Sequence, residues 1–161
     1  MGATALRAVK ASWDLANEEY AEPNRRLLID LAFRLAALMQ PGFAPPRTRH
    51  PGAGMTDEDD YGGTLTTVVY RLGDETRGLE VTDRVSDAHD GMTPFEATTE
   101  IRVYGLPDGC ALALTGSFIA PLYGRPNPAN LAARLPAAAV PALTDLLRAE
   151  YSATIDEHGA A

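Results

Sequence analysis

Between Phe95 and Tyr104 the chain alternates without a break. Phe95, Ala97, Thr99, Ile101 and Val103 take one parity, and Glu96, Thr98, Glu100, Arg102 and Tyr104 take the other. Side chains on a strand point to opposite faces with a period of two. One face of this strand therefore meets a core and the other meets water, the mark of an antiparallel sheet. The next apolar run, Cys110 to Ile119, returns along it. A four-residue loop, Leu106 to Gly109, pairs Val103 with Leu112, Ile101 with Leu114, Thr99 with Gly116 and Ala97 with Phe118. A one-residue slip would expose the leucines and bring Arg102 and Tyr104 inward, so this register is the expected one.

Two further strands precede this hairpin. Thr64 to Leu72 is rich in β-branched and aromatic residues. Leu79 to Val85 alternates Leu79, Val81, Asp83 and Val85 against Glu80, Thr82 and Arg84, after a turn through Gly73-Asp74 and Gly78. Helices are expected on either side. Leu6, Val9, Trp13, Ala16 and Tyr20 recur at three- and four-residue steps behind a Thr4 cap. Glu22-Pro23-Asn24 interrupts them, and Asn24 caps a second helix that runs to about Gln40 before Pro41-Gly42. That helix is apolar except for a stripe of Arg26, Asp30 and Arg34, spaced for i,i+4 ion pairs. Ala129 to Leu135 reads as a short helix. Pro141 opens a last one, with Leu143, Leu146, Leu147, Tyr151 and Ile155 inward and Asp145, Arg148 and Glu150 outward. Residues 41–63, dense in proline and glycine, read as a linker, and 156–161 as a tail. The expectation is one α+β domain over 1–161: a four-stranded antiparallel meander with one face covered by two N-terminal and two C-terminal helices.

A chain of 161 residues with 45% apolar and 22% charged residues can bury a core unaided. Cys110, the only cysteine, leaves no intrachain disulfide and no cysteine-based zinc cluster. The longest apolar stretch, Leu27 to Met39, is interrupted by Asp30 and Arg34 and is too short to span a bilayer. The N-terminus lacks the basic-then-apolar run of a signal peptide. A cytoplasmic protein is expected, and thirteen arginines against one lysine suggest a GC-rich bacterial genome.

Charge is the strongest functional signal. Of the net charge of −8, the stretch from Asp57 to Asp90 carries seven units, from ten acids and three arginines. A concentrated negative field repels nucleic acid and anionic membrane and attracts a basic partner. Asp57, Glu58, Asp59, Asp60, Asp87 and Asp90 are the candidate partner-binding residues. The set Asp83, Asp87, His89 and Asp90 matches no established metal-ligand spacing, and Asp57-Glu58-Asp59-Asp60 fails the EF-hand pattern at Tyr61 and Val68. A solvated acidic loop is the expectation, with no metal and no cofactor. Nor does a catalytic set assemble. His50 lies in the linker, His158 in the tail, and Cys110 has no base nearby in sequence. No phosphate-cradling glycine motif occurs. A non-catalytic role is therefore expected. The aromatic residues, with Ile101, Leu114 and Thr99, either fill a core or line a cavity. Trp13, Phe33, Tyr70, Thr99, Ile101, Leu114 and Phe118 are the candidate lining, with Thr99 as its polar handle and Thr115 on the outer face.

The stretch Phe95–Tyr104, the return Cys110–Phe118, Pro121 with Gly124, and the helix ending Leu146-Leu147-Arg148 resemble the closing strands and C-terminal helix of the START-like, helix-grip superfamily. The resemblance covers residues 95–151. It implies a cavity for an apolar small molecule and transfers no catalytic residue. The family opens with a strand and has more strands than this chain shows by pattern.

Two functions follow as expectations. One is a small binding module, an adaptor, chaperone-like or immunity-type protein, that offers its acidic segment to a basic protein. The other is a START-like protein that binds or cyclises an apolar small molecule. The largely apolar second helix further suggests a homodimer.

Overall fold

A computed structural model describes residues 6–15, 21–40, 43, 49–50, 54–58, 64–73, 75–87, 95–120, 127–151 and 153–159. Nine strands are found among them: β1 (Leu6–Leu15), β2 (Arg49–His50), β3 (Gly54–Glu58), β4 (Thr64–Gly73), β5 (Gly78–Asp87), β6 (Phe95–Tyr104), β7 (Ala111–Ala120), β8 (Asn127–Pro136) and β9 (Thr154–Gly159). Two α-helices accompany them, α1 (Ala21–Met39) and α2 (Val140–Tyr151), the second entered through a 3-10 turn at Ala137–Ala139. The architecture is α+β, an antiparallel sheet with helices. The strands form one sheet in the order β2-β4-β5-β6-β7-β8-β1-β9, with β3 also paired to β4.

The central meander follows from alternation. β6 and β7 pair Ile101 with Leu114, Thr99 with Gly116 and Ala97 with Phe118, the register that the hairpin pattern predicts. Tyr70, Val81, Ile101, Leu114, Leu131 and Ala11 form one continuous row across six strands, and all six are buried. Cross-strand neighbours on one face are the packing unit of a sheet, and this row is the floor of the core. α1 lies on it against β6 and β7, burying Leu28, Leu31, Ala32, Leu35, Ala36 and Met39. The opposite face is wet. Arg71 pairs with Glu80 at 3.2 Å and lies over the Tyr104 ring at 5.3 Å, and Arg102 pairs with Glu100 at 2.7 Å.

Several expectations are corrected. Leu6–Leu15 is a strand, not a helix, because β8 and β9 supply ladders on both of its edges. Asn127–Pro136 is likewise a strand between β7 and β1. Ala129, Leu131, Ala133 and Leu135 are buried while Pro128, Asn130, Ala132 and Arg134 are exposed, a period of two that outweighs helix-favouring composition. The supposed linker 41–63 contains β2 and β3 on the edge of β4, and Phe43 within it is buried against Phe33 at 6.1 Å between ring centroids. The supposed tail belongs to β9 as far as Gly159, and Ile155 lies in that strand and not on the last helix. The four expected helices are thus two α-helices among the described residues, and the four strands are nine.

α1 begins at Ala21, so Glu22-Pro23-Asn24, expected as a break with Asn24 as the cap, lies inside its first turn, where the missing Pro23 N–H has no intrahelical partner to lose. Its outer stripe behaves differently from the i,i+4 pattern. Arg34 reaches α2, where it donates to the Glu150 carboxylate at 2.8 Å and to the Tyr151 hydroxyl at 3.2 Å. This contact ties the two helices together.

Candidate functional site

The ladder gathers part of the acidic segment at one corner. β3 and β5 both pair with β4, so Glu58 stands opposite Thr64 and Thr64 opposite Asp87. Adjacent strands lie about 4.8 Å apart, which places the Glu58 and Asp87 backbones on the order of 10 Å from each other. Asp57 is the next residue along β3. Twenty-nine positions of sequence are closed into one row by two antiparallel ladders. Asp59, Asp60 and Asp90, and also His89, lie outside the described residues.

Not all of the acidic segment belongs to that corner. Glu80 is paired with Arg71 on the outer face. Asp83 points the other way. It sits in the alternation of Leu79 and Val81, is only 8% exposed, and faces the core beneath α1. Arg25, from the start of α1, donates its Nε–H to Asp83 Oδ1 at 3.0 Å, and the Thr99 hydroxyl donates to the same oxygen at 2.9 Å. A buried carboxylate needs such partners, since transferring an isolated charge out of water costs several kcal/mol. The expectation of a solvated acidic segment is therefore corrected at Asp83, which is buried, while Glu80 is ion-paired on the outer face. The pairing also commits Asp83 to a guanidinium, which removes it from the proposed ligand set with Asp87, His89 and Asp90. Among the described residues no group of three or more histidine, cysteine, aspartate or glutamate side chains is arranged to hold a metal.

The same register orders the candidate cavity residues. Tyr70, Ile101 and Leu114 share the all-apolar row. The next row runs Val68, Asp83, Thr99, Gly116, Ala129 and Trp13 from β4 to β1. Phe118 stands opposite Ala97 one row further on. For Trp13 and Phe118 only the backbone position is described. Phe33 stands apart from these rows, on α1 beside Phe43. Ile101 and Leu114 are fully buried with α1 lying across their strands, so they serve as packed floor. Thr99 is a buried polar group as expected, but its hydroxyl is already given to Asp83. Thr115 takes the parity opposite to the buried Leu114 and Gly116, as expected for the outer face.

Arg25 and Asp83 are the residues that pattern reading passed over as a pair. Asp83 carried a signal, a charge inside an otherwise apolar alternation. Arg25 carried none, because nothing in its surroundings fixes where the helix start meets the sheet. Cys110 is half-buried beside the core, and burial pushes its thiol above the ordinary range, away from the thiolate that nucleophilic chemistry needs. His50 is opposite Arg71 on β2, and His158 opposite Ala8 on β9.

Comparison with known protein families, with curated proteins and with solved structures finds no match. No helix among the described residues is long and apolar enough to cross a membrane.

Proposed function

We propose that this chain is a non-catalytic binding module of the adaptor, chaperone-like or immunity type, offering an acidic corner of its sheet to a basic protein in the cytoplasm. The observation that supports this reading is the row Glu58–Thr64–Asp87, with Asp57 beside it, which brings acids from two distant stretches to one end of β3, β4 and β5. Asp59 and Asp60 follow Glu58 directly in sequence, and Asp90 follows Asp87 by three residues. A short edge strand with charges also protects the sheet from edge-to-edge aggregation, so the corner has a structural use as well. Binding distinguishes the two uses. A fluorescent oligolysine peptide should bind the wild-type protein at low salt and release at high salt, since exposed charges are screened over roughly 8–10 Å at physiological ionic strength. Neutralising Asp57, Glu58, Asp59 and Asp60 to their amides should weaken that binding while the melting temperature stays near the wild-type value. Unchanged binding by the neutralised protein would leave only the protective role.

A second reading, an apolar small molecule held under the sheet, draws on the row Asp83–Thr99–Gly116–Ala129. It places a carboxylate and a hydroxyl next to two positions with almost no side chain. The opening strand β1 beside β8 also supplies the strand-first order of START-like proteins. Against it stand the shortness of α2, twelve residues followed by β9, and the position of α1 over the sheet centre. A dansyl fatty acid that binds wild type but not Thr99→Leu would favour this reading over the acidic corner.

A further inference from the structure

One oxygen of the buried carboxylate is left over. The Arg25 Nε–H and the Thr99 hydroxyl both donate to Asp83 Oδ1, at 3.0 Å and 2.9 Å. Among the described residues nothing donates to Oδ2. The fully enclosed side-chain oxygens that lack a partner among those residues are on Gln40 and Thr144, so Oδ2 is within reach from outside, although the Asp83 side chain is only 11% exposed. A buried carboxylate with a spare acceptor calls for an explanation. The sheet beside it is apolar on the inner face. Val68 stands opposite Asp83 on β4, Val85 follows two residues along β5, and Ala97 stands opposite Val85. Val68 and Val85 are half-buried and Ala97 is buried. α1 lies over β6 and β7 and leaves the β4–β5 margin of this face less covered. The row through Asp83 ends on the edge strand β3 at Gly54, which has no side chain to close it. From β3 to β5 is two strand spacings, about 10 Å. The row is a short apolar track, open at the sheet edge and ending at Arg25, Asp83 and Thr99.

We propose that this track binds an uncharged apolar molecule ending in a hydroxyl, whose O–H is accepted by Asp83 Oδ2. The inference rests on the second reading above, an apolar small molecule under the sheet, and names the polar group that molecule carries. The chemistry of the inner end selects it. Guanidinium and carboxylate cancel there, so the end is polar and neutral. A carboxylate head would meet the Asp83 charge and be turned away from it. An ammonium would give up hydration that an already neutral pair does not return. A hydroxyl loses least and supplies the missing donor. Arg25 and Thr99 are positioning residues: they hold Oδ1 and so fix the carboxylate that the ligand meets.

Two isomers test it on the full chain: hexanol, and methyl pentyl ether, which has the same atoms and no donor. Titration followed by amide NMR shifts gives both the affinity and the place of binding. Hexanol should move the amides of Val68, Asp83, Val85 and Thr99 and bind about tenfold tighter than the ether, the worth of one hydrogen bond to a charged acceptor. Asp83→Asn keeps an oxygen for Arg25 and Thr99 and puts an N–H donor where Oδ2 was, so the preference for hexanol should vanish. The comparison of the two isomers on wild type stands even if that variant does not fold. Equal binding of hexanol and ether at these residues overturns the role of Oδ2 and leaves the apolar site in place. A preference for hexanol that survives Asp83→Asn also overturns it, because the acceptor then lies elsewhere. No shift of these amides by either compound at millimolar concentration overturns the proposal together with the reading on which it rests.

Discussion

Removing Arg25 should cost the protein more than removing Arg25 and Asp83 together. The reason lies in what each change leaves behind. Asp83 is 8% exposed and its Oδ1 accepts from both Arg25 and Thr99. Arg25→Ala strands that carboxylate with the Thr99 hydroxyl alone. Breaking a fully buried pair from one side costs about 3–5 kcal/mol. Here the Arg25 side chain is 22% exposed and water can reach the gap, so about 2 kcal/mol is the appropriate expectation. Arg25 makes a further interaction that the same substitution also removes. A single variant therefore cannot isolate the pair, and a double-mutant cycle is required.

Asp83→Val in the Arg25→Ala background deletes the stranded charge and places an apolar side chain between Val68 and Thr99 in their row. It should recover roughly 1 kcal/mol, less the cost of leaving the Thr99 hydroxyl without its acceptor. Adding Thr99→Val completes an apolar row and should recover about 1 kcal/mol more, since well-packed apolar replacements of buried ion pairs are often neutral or stabilising. Urea melts of the five proteins (wild type, Arg25→Ala, Asp83→Val, and the double and triple variants), compared at constant m, give these differences directly. In a thermal melt, 1 kcal/mol corresponds to about 2–4 °C for a chain of this size. Additive costs for Arg25→Ala and Asp83→Val would refute the reasoning, because they would mean that the two groups do not stabilise each other.

Leu114→Ala should destabilise by about 2–5 kcal/mol, because Leu114 is fully buried between Ile101 and Leu131; a silent substitution in a urea melt would contradict the face assignment. Thr144→Val in α2 should stabilise by roughly 1 kcal/mol, since the Thr144 hydroxyl is buried without a hydrogen-bond partner; a lower melting temperature would show that it has one. Gly78 has φ +158°, and a Cβ there would overlap the Leu72 carbonyl oxygen and come within 2.6 Å of the Tyr104 hydroxyl, so Gly78→Ala should be among the most damaging single changes; adding Tyr104→Phe should not restore the melting temperature, because the backbone overlap remains, and full recovery would place the clash at the hydroxyl instead. The Arg34 partnership holds Glu150 below its ordinary carboxylate range, so the α1–α2 tie contributes above the unfolded carboxylate value and is lost as pH falls through the lowered one; Arg34→Gln should flatten that part of the stability–pH curve, and an unchanged curve would assign the acid response elsewhere.

The parts of the fold that could be read from the chain are those decided by neighbours close in sequence. β4 to β7 are four strands successive in sequence, and the alternation of β6 with the apolar run that returns along it gives the β6–β7 register. β1 is different. Leu6, Val9 and Trp13 fit a helical spacing, and the strand is chosen by ladders to β8 and β9, more than a hundred residues away. A tertiary partner of that kind overrides local propensity. β8 shows the same competition in reverse view. Its alanine, leucine and arginine content favours a helix, yet its alternate residues fit the gap between β7 and β1. β3 is invisible by pattern because five residues with glycine at one end and two acids at the other make no periodic signal, and only the edge of β4 organises them.

The same distinction governs the candidate site. Charge counting treats Asp57 to Asp90 as one acidic surface, because it has no access to which way each strand turns. The ladder sorts the acids by position. Glu80 faces outward into an arginine, Asp83 faces inward into another, and Asp57, Glu58 and Asp87 come to the end of the sheet. Glu80 and Asp83 are already compensated within the fold, so their charge is largely unavailable to a partner. The field that could steer association is therefore narrower than the sequence suggests and centred on the β3–β4–β5 corner. Steering depends on how charge is concentrated as well as on its total. On the proposed reading, a compact acidic corner beside a sheet face whose charges are paired would set an orientation for a basic partner, which an evenly acidic surface would not.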